Sequence, residues 1–464
     1  MAQEQANQQN KMGVLPVNKL LLSMALPMMA SMLVQALYNI VDSIFVSKIS
    51  ENALSAVSLA FPVQNLMIAI ASGTGVGINA YLSRSLGENN RKNVNRAATN
   101  GIMLVFLSAL LFVIFGVFFI RMFFEGQADG NNEIIDYGVQ YLSICSILSF
   151  ALFGQVTFER LLQATGKTFY TMITQGTGAV INLVLDPLLI FGLFGFPEMG
   201  VAGAALATVT GQFVAMILAI YFNLKKNKEI KLNFKRFRPH FKTIKIIYAV
   251  GVPSILMVSI TSIMTFGMNQ ILIGFSSTAV AVFGVYFKIQ SFVFMPVFGL
   301  NNGMIPIVAY NYGALNKERI LKIIRLALTY GISIMFAGFL VFQFCAEWIL
   351  QLFEASDEML KTGIPALRII SISFIPAGFS IIIVSVFQAF GKGVISLIIS
   401  TIRQLVILLP AAFLLSLLCE GNDVSAIWLS FPIAEGFALI VSILSFIKVN
   451  KTVIKPLGKA DTAL

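Results

Sequence analysis

The acidic side chains set within long apolar stretches are the residues of this sequence best placed to do chemistry. Asp42 closes a polar stripe in which Gln35, Tyr38, Asn39 and Asp42 fall at i, i+3, i+4 and i+7. That spacing puts all four on one face of a helix, and such a face belongs in a bundle interior or a cleft, not against lipid. Asn182 and Asp186 form an i, i+4 pair, and Pro187 follows at once. The proline bends its helix and leaves the Leu183 carbonyl without its usual donor. Two carboxyls and an amide in an apolar bundle can exchange a proton, or hold a hard cation such as Na⁺ through their oxygens. The plainer alternative is structural, each acid bonding to nearby hydroxyls or amides. An ionisable group at mid-bilayer costs at least a few kcal/mol, so a functional or paired role is the default.

Lys288, Arg368, Arg403 and Glu435 are the other charges within apolar runs, all in the second half of the chain. Structural pairing is the expected arrangement there, with Glu435 meeting Arg403 or Lys288. Gly166-Lys167-Thr168 resembles the end of a Walker A loop, but Leu161 stands where its first glycine is required, so nucleotide binding is rejected. GTGVG (73–77) lies inside an apolar run and reads as close helix packing. The only histidine, His240, has no nucleophile or acid arranged around it. Cys145, Cys345 and Cys419 show no paired spacing, so neither a disulfide framework nor a zinc site is indicated. No enzyme and no cofactor are expected.

What positions these residues follows from composition. Apolar residues make up 57% of the 464 and charged ones 11%, against roughly 25% charged in ordinary soluble domains. The chain therefore requires a lipid-facing exterior. At roughly 20 apolar residues per span the expectation is an all-α polytopic membrane protein of about twelve spans, near 20–43, 54–80, 97–120, 135–158, 168–194, 200–224, 244–270, 279–305, 322–346, 360–388, 393–418 and 424–448. The polar start, MAQEQANQQNK, lacks the pattern of a cleaved signal peptide. Most of the 32 Lys and Arg fall in the tails and the even-numbered connections. That bias predicts both termini cytoplasmic, in a cell membrane, and explains the net charge of +11 without nucleic acid. The basic run at 225–245 reads as a topology anchor near anionic lipid.

An internal repeat organises the spans. A shift of 226 residues superimposes Pro27 on Pro253, Phe61 on Phe287, Gln64 on Gln290, Gly73 on Gly299, Gly77 on Gly303, Gly87 on Gly313 and Asn90 on Asn316. At a shift of 225, QATGK (163–167) falls on QAFGK (388–392). Six spans per half send both halves into the membrane in the same direction, so the pseudo-two-fold runs along the membrane normal. The expected division is a tail (1–19), a six-helix lobe (20–224), a basic linker (225–243), a second six-helix lobe (244–448) and a tail (449–464). Two bundles about such an axis leave a cleft that rocking can open to either side. The acids are not repeated: Met268 stands opposite Asp42 and Ala411 opposite Asp186. The symmetry builds the scaffold, and any coupling chemistry belongs to the first half.

ALPMMASMLVQALYNIVDSIFV, YLSRSLGENN, INLVLDPLLIFG, PIVAYNYGALNKERI and the QATGK/QAFGK pair together resemble the multidrug and toxic compound extrusion (MATE) family, its DinF- and MepA-like bacterial members in particular. The resemblance runs from about residue 15 to 450. It implies a two-lobe, twelve-helix exporter of hydrophobic and cationic small molecules that works by alternating access, in exchange for H⁺ or Na⁺. It further implies coupling at Asp42, Asn182 and Asp186, with Thr208 joining them in a Na⁺ site, and a substrate cavity at Gln35, Tyr38, Asn39 and Asp42. Protonation of Asp42 from outside would then weaken its hold on a cationic drug. The second half lacks the extra acids of Na⁺-coupled NorM-like members. A monomer suffices, since one chain supplies the whole cleft.

Two rival readings remain. A lipid-linked precursor flippase shares the architecture and would use Lys288, Arg368 and Arg403 on phosphates, but it leaves the first-half acids without a role. A membrane-embedded lipid transferase would need a catalytic Asp or His cluster at a membrane face, and the sequence shows none.

Overall fold

A backbone crossing hydrocarbon must satisfy its own polar groups, and long apolar runs do so by closing as helices. The computed structural model describes residues 10–128, 131–232, 238–353, 355–419 and 424–457, and every regular element among them is helical. The twelve spans are α1 (Val17–Ser47), α2 (Glu51–Gly87), α3 (Arg91–Phe118), α4 (Asn132–Ile147 with Phe150–Ala164), α5 (Thr168–Ile190), α6 (Gly200–Lys226), α7 (Phe241–Ile273), α8 (Ser277–Gly313), α9 (Lys317–Phe344), α10 (Asp357–Ser371 with Phe374–Ala389), α11 (Gly393–Ser416) and α12 (Ser425–Leu457). Each meets one of the expected runs. Two depart from straight helices: α4 bends by 43° and α10 by 47°.

The repeat has a physical basis in helix ends. Ser50 caps α2 through Ala53 N (3.0 Å), and Ser276, 226 residues on, caps α8 through Ala279 N (3.1 Å). Asn90 caps α3 and Asn316 caps α9 in the same way, each at 3.1 Å. Such caps satisfy backbone donors that a helix start leaves unpaired. Gly166 and Gly391, the glycines of QATGK and QAFGK, turn with φ of +84° and +76° between the bent span and the next. A side chain there would be strained.

The halves meet through their first two spans, α1 against α8 and α2 against α7. A Cβ on Gly77 would lie 2.1 Å from the Ile247 carbonyl oxygen, and one on Gly303 2.8 Å from the Ala25 Cα. Nearer the chain termini, α2 and α8 touch each other, with a Cβ on Gly87 1.9 Å from Tyr310 O and one on Gly313 2.1 Å from Arg84 O. The repeated glycines are thus the contact surface between the lobes, closed at the end that carries the termini.

The described parts of both tails are largely helical. Lys11–Val14 forms a short helix whose Met12 is fully buried, and α12 runs on through a π turn at Asn450–Ile454 to Leu457. Residues 1–9, 233–237 of the linker and 458–464 lie outside the described residues. At α11 the helix widens into a π turn at Ile402–Leu408 just before Pro410, whose ring would clash with a carbonyl one turn back.

Candidate functional site

In the first half, α1, α5 and α6 bring the predicted acids together. Pro187 lies inside α5, so the last turn before Ile190 is loosened where Asp186 sits. Asn182 donates through Nδ2 to Asp186 Oδ1 (3.4 Å) and to Thr208 Oγ1 of α6 (3.2 Å). The Asp42 carboxyl of α1 meets that of Asp186. Two carboxyls can hydrogen-bond to each other only when one of them carries a proton. Asp42 Oδ1, Asn182 Oδ1 and Asp186 Oδ2 are buried and have no hydrogen-bond donor. Three unfilled oxygens in one apolar cluster are the donor set that a proton or a hard cation satisfies. Around the pair, Gln64 donates to Tyr141 Oη (3.1 Å), and Tyr38 stands close to Asp42.

Asn182 and Thr208 of this cluster also line a cavity of about 150 Å³. Gln35 and Tyr38 of the α1 stripe line it, whereas Asn39 is exposed, and neither Asn39 nor Asp42 belongs to its lining. The wall is rich in amides, with Gln155, Gln163, Gln175 and Gln212 joining Gln35 and Asn182. It also holds two charges that the sequence reading placed outside the spans, Glu159 and Arg160. Both are buried, at 2% and 9% exposure. Glu159 Oε1 accepts from Gln155 Nε2 (3.1 Å) and Thr174 Oγ1 (2.9 Å), and its Oε2 accepts from Gln175 Nε2 (2.8 Å). Arg160 donates through one terminal nitrogen to Gln163 Oε1 (2.8 Å) and, across the lobe boundary, to Asn302 Oδ1 (2.9 Å). The fourth apolar run ends at Phe158, but the helix continues to Ala164. The signal available in the sequence was the four-residue spacing of Gln155, Glu159 and Gln163, one polar face on an apolar helix.

The second-half charges are structurally engaged or peripheral. Arg403 pairs with Glu435 at 3.4 Å, as expected. Arg368 Nε donates to the Gln343 carbonyl (3.1 Å), and Lys288 is exposed on α8.

The sequence model of the MatE family matches residues 27–188 and 253–414, two copies 226 residues apart. The chain is 28% identical over 423 residues to the multidrug export protein MepA of Staphylococcus haemolyticus, covering 90% of each chain. It is 26% identical over 426 residues to the FAD transporter of Shewanella oneidensis, covering 90% of this chain and 92% of that one. Among solved structures, an outward-facing conformation of a multidrug resistance MATE family transporter of the MOP superfamily matches with a TM-score of 0.90 at 26% identity, over 97% of this chain and 99% of the other.

Proposed function

The chain belongs to the MatE family, and on that premise we propose that it is a secondary multidrug exporter of organic, mostly cationic compounds, driven by antiport of H⁺ or Na⁺. The relatives named as multidrug exporters support the class of transport. The antiport reading rests on one observation, the meeting of Asp42 and Asp186 beside Asn182 and Thr208 with three buried oxygens unfilled. A proton or Na⁺ taken there changes the charge of the first lobe's core. That charge change biases two arrangements of the lobes, one open to each side. The lobes are in contact at the terminus-bearing end, which we assign to the cytoplasmic side from the charge bias of the connections. For one-to-one exchange, a pH difference of one unit supplies about 1.4 kcal/mol, roughly a tenfold accumulation of cargo. A single chain carries the whole machinery in this reading, embedded in the cell membrane.

The deciding experiment is efflux of a fluorescent organic cation from vesicles reconstituted with the protein, under a pH gradient or a Na⁺ gradient imposed separately. Efflux driven by one gradient and lost in Asp42→Asn supports antiport and names the ion. If neither gradient moves any cation while the protein stays folded, the exporter reading fails. Arg160 in the cavity wall favours a second reading, export of an anionic nucleotide, in line with the relative named as an FAD transporter. FAD placed in the same vesicles tests it.

A further inference from the structure

Glu159 is the one acid in the cavity lining, and its surroundings are unlike those of Asp42 and Asp186. Three neutral donors, from Gln155, Thr174 and Gln175, hold its carboxylate. Such donors lower the cost of a charge on a buried carboxyl. They do not neutralise it. Among the described residues Glu159 belongs to no ion pair; the adjacent Arg160 keeps its charge, but its hydrogen bonds go to Gln163 and Asn302 and none goes to Glu159. Oε1 already accepts two hydrogen bonds and Oε2 one, so a lone pair on Oε2 is left for a further partner. A carboxyl in a membrane-embedded cavity, with donors arranged on it, a lone pair open and no direct ion pair, marks a place where the cationic group of a ligand can be met.

The size and walls of the cavity say what else the ligand carries. About 150 Å³ is room for a ring-sized apolar group. Met28, Met32, Tyr38, Ile68 and Leu152 supply an apolar wall, and methionine sulfur packs well against aromatic edges. The place of Glu159 relative to the acid pair completes the argument. Its partner Gln175 and Asp186 lie on the same helix eleven residues apart, about 16 Å at 1.5 Å per residue. A proton taken at Asp42 and Asp186 is too far away to displace a cation at Glu159 by occupying the same oxygens.

Resting on the exporter reading above, we infer that Glu159 is the residue that recognises the positive charge of the cargo, an aromatic monocation whose ring sits in the cavity. The Asp42–Asp186 pair is thereby relieved of the cargo and serves the coupling ion alone. Cargo and ion occupy separate sites, and their exchange passes through the arrangement of the lobes.

Binding of N-methylacridinium to the purified full-length protein, followed by fluorescence polarisation, tests the assignment, with uncharged acridine at alkaline pH as the same-shaped neutral control. The parent should bind the cation at least tenfold more tightly than the neutral ring. Glu159→Gln should lower cation affinity to that of the neutral ring, and Glu159→Asp should retain part of the preference. In the parent itself, bound N-methylacridinium should protect Glu159, and neither Asp42 nor Asp186, from dicyclohexylcarbodiimide mapped by mass spectrometry, a readout that needs no variant to fold. Parental cation affinity in Glu159→Gln, or protection confined to Asp42 and Asp186, overturns the assignment and leaves gradient-driven export standing. A parent that neither binds nor exports the cation overturns both.

Discussion

Two carboxyls in contact behave as a unit, and the consequence at the residue scale is non-additivity. Removing either Asp42 or Asp186 destroys the shared contact, so Asp42→Asn and Asp186→Asn should each cut gradient-driven efflux by a factor on the order of 100, and the double variant should be no worse. Initial efflux rates at equal protein density check this, and multiplying losses would mean two independent ion sites. Thr208→Val removes one of the two acceptors of Asn182 Nδ2 while leaving the acids in place, so a milder loss, about tenfold, is expected in the same assay. The proximity of Asp42 and Asp186 is foreshadowed in the sequence because a carboxyl in an apolar run needs a polar partner, and Asn182 one turn before Asp186 is such a partner. Glu159 is not legible there, because a hydropathy window stops at the first charge. The helix goes on past Phe158 for six residues, and Glu159 is satisfied sideways by Thr174 and Gln175, from another helix whose approach no local window encodes.

At the scale of elements, the spans were readable and their bends were not. Apolar length alone decides that a segment crosses, whereas a break depends on what the neighbouring helices accept. In α10 the break at residues 372–373 has a local cause, since the Pro376 ring would collide with the carbonyl one turn earlier. In α4 the break at 148–149 has no proline; there the Ser149 hydroxyl reaches the Ala109 carbonyl of α3 (3.3 Å), a tertiary contact. The glycine ridges give the sharper test. The sequence repeat located them, but only the packing shows that they separate the lobes and do not merely line helices within one lobe. Gly77→Val places carbon where the Ile247 carbonyl lies, so the lobes cannot close at the terminus-bearing end. Spin labels on Arg91 and Lys317, one per lobe at that end, should report a longer distance in Gly77→Val than in the parent. Efflux should fall with cation binding preserved. An unchanged distance would mean that α7 gives way and the lobe contact is not set by these glycines.

For the whole molecule, the same closed end is fastened by a segment that composition assigns to a tail. Residues 10–15 carry no apolar periodicity, and their place is set by partners in both halves. Asn10 donates to the Thr165 carbonyl (3.1 Å) and to Glu229 (3.2 Å), which also pairs with Lys167 at 2.9 Å. From the other half, Arg319 donates to the carbonyls of Met12 (3.1 Å) and Leu15 (2.8 Å), and Asn311 donates to Met12 (3.1 Å). Opening this end pulls those partners apart, so the segment resists opening by the strength of its weaker side. Hydrogen bonds to charged groups are worth about 1.5–3 kcal/mol each. Arg319→Ala should therefore raise the population with this end open by tenfold or more. Met12, fully buried when the segment is docked, is the reporter: a cysteine introduced by Met12→Cys, with Cys145, Cys345 and Cys419 replaced, should react slowly in the parent and at least tenfold faster with Arg319→Ala. Lys11 gives the opposite sign. Burial, and then the charge of Lys167, hold its ammonium below the ordinary lysine value, with Glu229 offsetting part of this. Docking therefore favours loss of that proton, strengthening as pH rises through the docked value and gaining nothing further above the free one. Lys11→Met removes the cost of burying the charge and should slow labelling of the Met12→Cys thiol below the parental rate. Equal rates in all three proteins would show that the segment merely rests on a closure made by the glycines; rates ordered Lys11→Met, parent, Arg319→Ala from slowest to fastest would show that it helps to hold the two halves shut.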